Sequence, residues 1–102
     1  IEVDDSLKHY AVKIVGETRT HPDVELGASP RGSIALIRLS QALAAISGRG
    51  YIIPDDVKRV AVPALAHRVV VKPDRRIQGV TSERVVLEIL DSVSVPISEG
   101  VR

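Results

Sequence analysis

One arginine in this sequence stands where its residue type and its surroundings could do chemistry: Arg31, at the end of Gly27-Ala28-Ser29-Pro30-Arg31. Ser29 is a good N-cap residue, and Pro30 then falls at the first helical position, where its missing N–H costs nothing. A cation in the first turn of the helix so opened faces the positive end of the helix dipole, a mismatch of roughly 0.3–1 kcal/mol when exposed. The N–H groups of Gly32 and Ser33, the dipole and the guanidinium would all attract one anion, and a phosphate is the natural partner. The pattern alone leaves two readings open, a solvated surface arginine or an anion site.

The other polar groups suggest less. Asp55 and Asp56 are adjacent, so they point in different directions from a helix and read as dipole-complementing residues rather than a general acid and base. His9, His21 and His67 are too scattered to suggest a metal set, and no metal ligands are assigned. His67 beside Arg68 reads as a helix C-terminal dipole partner or packing residue. Arg75-Arg76 is a two-residue basic pair, well short of a nucleic-acid patch. There is no G-x-x-x-x-G-K-[ST] loop, G-x-S-x-G elbow or H-E-x-x-H, so the chain by itself is not expected to be an enzyme and no catalytic residue is assigned.

The elements that would position Arg31 follow from apolar periodicity and caps. Helices are expected near 5–19, 30–47, 54–67 and 82–92. In the first, Leu7, Tyr10, Ala11, Ile14 and Val15 share a face, and Pro22 forbids continuation. The second, running to Gly48, carries Ala35, Leu36, Leu39, Ala42, Leu43 and Ile46 on what should be its buried side, leaving Ile34 exposed beside Arg31. The third opens on Pro54-Asp55-Asp56, with Val57, Val60, Ala61, Ala64 and Leu65 inward and a kink or break at Pro63. The fourth is capped by Thr81, with Val86, Ile89, Leu90 and Val93 inward. Residues 20–28 and 74–79 read as loops, and Val69-Val70-Val71 leaves room for a short extended segment near 69–72. The fold class is all-α, a small four-helix bundle.

Composition bounds the rest. A chain of 102 residues is one small domain. Its start at Ile1 reads as a piece cut from something larger, although a processed protein would look the same. Fourteen basic against thirteen acidic residues leave a net charge of +1, which makes no electrostatic case for a nucleic acid or a membrane. Cysteine is absent, which excludes disulfides and thiolate metal sites and fits a reducing compartment. Tyr10 and Tyr51 are the only aromatics, too few for stacking on bases.

Taken together, Thr18-Arg19, Pro22, Gly27-Ala28-Ser29-Pro30-Arg31, Ala42-Leu43-Ala44, Gly48-Arg49, Pro54-x-Asp56-Val57, Leu65-x-His67-Arg68 and Gly79-Val80-Thr81 resemble the C-terminal lid domain of MoxR-type AAA+ ATPases. The likeness runs from about residue 3 to residue 96, and the order and spacing of so many short motifs make it specific. It departs from the family pattern at Ile53, where a capping Thr is common, and at Gly32, where a helix former such as Ala is usual.

The resemblance implies an AAA+ lid over residues 1–96, and the residues beyond Pro96, 97–102, read as a flexible tail. It implies that Arg31 is the sensor 2 arginine, with Ser29 and Pro30 shaping the motif. ATP and Mg would be bound in the full-length protein only, the AAA+ core of the same chain supplying the phosphate loop, the Mg²⁺ carboxylate and the catalytic Glu. The implied partners are that core, neighbouring subunits of a hexamer and a client with a von Willebrand factor A domain, in a cytoplasmic, chaperone-like ring without nucleic acid or membrane. Two other readings stay open: a helical protein-interaction module without nucleotide contact, and a helical nucleic-acid binder, which Arg31, Arg38 and Gln41 equip poorly.

Overall fold

Each long helix begins where a side chain or a proline settles the first turn. In the computed structural model, which describes residues 1–97, α1 (Asp5–Thr18) starts with the Asp4 carboxylate accepting from the Ser6 N–H at 3.0 Å. α3 (Pro54–Leu65) has Pro54 at its first position, and the Asp56 carboxylate reaches back to the Ile53 N–H at 2.9 Å. α5 (Ser82–Ser92) is capped by the Thr81 hydroxyl, which accepts from the Arg84 N–H at 3.1 Å. α2 (Arg31–Ile46) stops at Gly48, whose φ of +81° is a backbone state that a side chain would strain.

The helical expectation holds in its coarse form and is corrected in its detail. Among the described residues there are five α-helices, not four: α4 (Pro73–Ile77) lies in the stretch expected to be a loop, and a 3₁₀ turn (Ala66–Arg68) follows α3. The fold is also not purely helical. β1 (Val24–Leu26) and β2 (Val70–Val71) pair antiparallel, with Val24 opposite Val71 and Leu26 opposite Val70. The extended segment near 69–72 is therefore real and finds its partner inside the expected 20–28 loop. α3 passes through Pro63 without a break and tightens into the 3₁₀ turn. Of the expected tail, residues 98–102 lie outside the described residues.

The core is aliphatic apart from Tyr10. α1 buries Leu7, Tyr10, Ala11, Ile14 and Val15, α3 buries Val57, Ala61, Ala64 and Leu65, and α5 buries Val85, Val86 and Ile89. α2 packs mainly on α3 and next on α1, but through a different face from the one expected. Its buried line is Gly32, Leu36, Ser40 and Ala44, a row of mostly small residues four apart that lets the neighbouring helices approach closely. Ser40 is accommodated because its hydroxyl donates to the Leu36 carbonyl at 2.7 Å. Of the expected inward residues only Leu36 is buried; Ala35 and Leu43 are half-buried, Ala42 is exposed, Leu39 is 42% exposed and Ile46 is 84% exposed. The helix is apolar on nearly every side, so periodicity could not select the packed face.

Candidate functional site

The loop that delivers Arg31 is fastened to the end of α1. The Thr18 side chain, fully buried, donates its one hydroxyl proton to the Val15 carbonyl at 2.6 Å and accepts from the Ala28 N–H at 2.9 Å. The Arg19 guanidinium donates through Nη1 to the Ala28 carbonyl at 2.8 Å. Both peptide groups of Ala28, itself buried, are thereby held by adjacent residues of α1's C-terminus. Gly27 is needed for the crossing, since a Cβ there would lie 2.6 Å from the Thr18 carbonyl oxygen and 2.7 Å from Arg19 backbone atoms.

The first turn of α2 differs from the expected capped helix start. The helix runs from Arg31, Pro30 flanks it in αR conformation, and no side chain among the described residues caps it. Ser29 is exposed and contributes its carbonyl, which accepts from the Gly32 N–H at 2.8 Å. The Pro30 carbonyl accepts from both the Ser33 N–H at 3.2 Å and the Ser33 hydroxyl at 2.7 Å. The two N–H groups expected to help hold an anion are thus already donated within a tight turn. What remains for an anion is the guanidinium of Arg31, which is exposed and, among the described residues, makes no hydrogen bond or ion pair. Gly32, one residue on, is buried; a Cβ there would sit 3.4 Å from each of Ala28, Val15 and Leu65. Arg31 therefore stands between two anchored positions with its own side chain turned outward. Ile34, 54% exposed, lies one turn further on the same side.

The other motifs resolve into structural ties. Arg49 grips Asp56 in a forked pair, Nη1 to Oδ2 and Nη2 to Oδ1 at 2.7 Å each, and also donates to the Tyr51 carbonyl at 3.1 Å. Asp56 is buried, and the Arg49 guanidinium beside it holds its carboxyl below the usual range; the Ile53 N–H acts in the same direction. Asp55 is exposed, so the adjacent carboxylates do not converge. Arg68 donates to the Ala64 carbonyl at 3.1 Å and closes the end of α3, while His67 is exposed.

One cluster escaped the sequence: His21, Asp23 and Glu88 bring a ring nitrogen and two carboxylates within 4.8 Å of one another. Hydrogen bonding accounts for it. The Asp23 N–H points to His21 Nδ1 at 3.1 Å, so the neutral ring carries its proton on Nε2 and donates it to Glu88 at 3.0 Å. That bond, with Arg84 adding to it, holds the Glu88 carboxyl below its ordinary range. A cation on Nε2 would require the proton on Nδ1, against the Asp23 N–H. The group ties the β1 approach to α5.

The comparisons with known proteins converge on one family. Residues 16–89 match the family model described as the AAA lid domain. The chain is 46% identical over 100 residues to the uncharacterized protein YeaC of Bacillus subtilis (strain 168), covering 98% of this chain and 31% of that protein. It is 34% identical over 103 residues to the chaperone MoxR1 of Mycobacterium tuberculosis, covering 92% of this chain and 27% of that one. The crystal structure of an ATPase candidate from Cytophaga hutchinsonii superposes with a TM-score of 0.90 at 27% identity, covering 95% of this chain and 32% of its own. The chain thus spans about a third or less of the proteins it matches.

Proposed function

This chain belongs to the AAA lid domain family, as the lid of a MoxR-type AAA+ ATPase, and from that premise we propose that Arg31 is its sensor 2 arginine, contacting ATP from the lid side. The observation that carries the proposal is an exposed guanidinium with no partner among the described residues, on a turn fixed on both sides, at Ala28 by Thr18 and Arg19 and at Gly32 by the core. A planar fork of donors on an anchored stretch of backbone suits phosphate oxygens, because its geometry matches two of them at once and the backbone beneath it is already ordered. ATP with its Mg²⁺ would supply the triphosphate and the reaction, held by the phosphate loop, metal-binding carboxylate and catalytic Glu of the core. Arg31 would supply one charge-assisted contact, and loss of the γ-phosphate would remove that contact and release the lid. Nucleotide state becomes domain angle.

Exposed apolar residues of α2 accord with the same reading. Ile34, Leu39 and Ile46 expose apolar surface on a helix that begins at the proposed nucleotide contact. A core domain of the same protein, or a neighbouring subunit of a hexamer, would cover it. A cytoplasmic chaperone-like ring acting on a client with a von Willebrand factor A domain is the wider setting proposed for the full-length protein. Among the described residues no helix is long and apolar enough to cross a membrane.

The exposed apolar face also favours a second reading, a protein-interaction module in which Arg31 contacts no nucleotide. ATP turnover by the full-length protein separates the two. Arg31→Ala should reduce turnover at least about tenfold, a barrier increase of about 1.4 kcal/mol, while Arg38→Ala should change it less than about twofold. Equal, small effects would favour the interaction module.

A further inference from the structure

We propose that Thr18 and Arg19 are positioning residues for Arg31, acting through the backbone of Ala28 rather than by touching the nucleotide; this deepens the sensor 2 reading and rests on it. The wiring is specific. A hydroxyl has one proton, and that of Thr18 goes to the Val15 carbonyl, so the oxygen's lone pair faces the Ala28 N–H without competition. Arg19 closes the other side through its 2.8 Å bond to the Ala28 carbonyl. Its guanidinium lies back over α1, with Nη2 3.7 Å from the position a Cβ on Gly16 would take. Arg19, although exposed, has its Nη1 engaged by a backbone carbonyl of the loop that carries Arg31.

The restraint at Ala28 passes to Arg31 through a short and stiff path. Only Ser29 and Pro30 intervene, the proline ring fixes φ at −55°, and the Ser29 carbonyl is bonded to the Gly32 N–H at 2.8 Å. Gly27 leaves no slack on the far side, because it lies against the Thr18 and Arg19 backbone. A shift of Ala28 away from α1 therefore moves the Arg31 Cα rather than being absorbed in the loop. A misplacement of about 1 Å at a contact of this kind can cost on the order of a hundredfold in rate.

The test is steady-state ATP turnover by the full-length protein, with kcat and KM for ATP measured for Thr18→Val, Thr18→Ser, Arg19→Gln, Arg31→Ala and the double variants Thr18→Val/Arg31→Ala and Arg19→Gln/Arg31→Ala. Valine keeps the shape of Thr18 and loses both hydrogen bonds, whereas serine keeps both. Thr18→Val and Arg19→Gln should each lower kcat/KM by about 5- to 50-fold and never by more than Arg31→Ala, and Thr18→Ser should restore it to within about twofold of wild type. Each double variant should match Arg31→Ala within about twofold, because a displaced arginine that has been removed cannot be displaced again. If the effects multiply instead, or if both single variants turn over normally while Arg31→Ala is impaired, Thr18 and Arg19 are ordinary structural residues and the inference is overturned. If Arg31→Ala itself turns over normally, the sensor reading falls and this inference with it. Should Thr18→Val not fold, the Arg19 cycle decides alone, since Arg19 is exposed.

Discussion

Substituting along α2 distinguishes its packed side from its open side. Leu36 is fully buried, whereas Ile46 is 84% exposed ten residues further along. Truncating Leu36 to alanine removes three buried carbons, about 2.4 kcal/mol of transfer free energy at about 0.8 kcal/mol per CH₂. A residual cavity of roughly 50 Å³ between α1 and α3 would add about 1.2 kcal/mol at about 24 cal/mol per Å³. The expected cost of Leu36→Ala is therefore about 3–4 kcal/mol. Ile46→Ala gives up little burial and leaves no cavity, so it should stay within about 0.5 kcal/mol of wild type. Leu39→Ala, at 42% exposure, should fall between them near 1 kcal/mol, since solvent fills the space it leaves. Urea unfolding of the domain reads this directly: at an m-value of about 1.5 kcal/mol/M, Leu36→Ala should lower the midpoint by roughly 2 M and Ile46→Ala by less than about 0.4 M. Comparable losses for Leu36→Ala and Ile46→Ala would mean that α2 is rotated from the orientation described, and the apolar face assigned to docking would be wrong with it.

The glycines of the Arg31 loop should respond in opposite directions: Gly27→Ala meets backbone at 2.6–2.7 Å and should cost about 2–4 kcal/mol, whereas Gly32→Ala meets side chains at 3.4 Å and should be neutral or stabilise by up to about 1 kcal/mol, both seen in thermal melts. Asp56 is held below the ordinary carboxylate range when folded, so its pairing with Arg49 stabilises the fold fully above the unfolded value near 3.9 and is lost as the pH falls through the folded value. Asp56→Asn should accordingly lower the melting temperature at pH 7 and flatten its decline below about pH 4; an unchanged acid profile would show that another carboxylate governs it. Titrating the domain alone with Mg-ATP should give a dissociation constant above about 1 mM, because one charge-assisted contact of about 1.5–3 kcal/mol falls short of the roughly 4.1 kcal/mol that 1 mM requires. Saturable micromolar binding, read by calorimetry, would reveal a nucleotide site beyond Arg31.

What was legible in the sequence depended on how one-sided each element is. α1, α3 and α5 each carry a single apolar stripe, and the residues named from it are largely those in the core. α2 has no polar side broad enough to point the other way, and its packed line uses Gly32 and Ser40, which hydropathy does not flag. β1, β2 and α4 span two to five residues, too short to show a period, and β1 and β2 are fixed by each other across the chain. At the candidate site, Arg31 was legible from its place after Ser29-Pro30 and from the family resemblance. That the N–H groups of Gly32 and Ser33 are already taken up was not, because the i to i+3 bonds of the first turn depend on backbone conformation. Thr18 and Arg19 were visible as a motif, but their reach to Ala28 is a tertiary fact. Asp56 was read as a dipole-complementing residue of the first turn, and its partner Arg49 could not be named from spacing alone.

Lid position in the full-length protein, followed as a function of nucleotide, bears most directly on Arg31. With a donor dye on the exposed face of α5 and an acceptor on the core, energy transfer should change between the ADP state and the state bound to a non-hydrolysable ATP analogue. Arg31→Ala should abolish most of that change while Arg38→Ala preserves it, because only the guanidinium at the start of α2 would meet the γ-phosphate. A lid that moves by the same amount with and without Arg31 would contradict the sensor assignment.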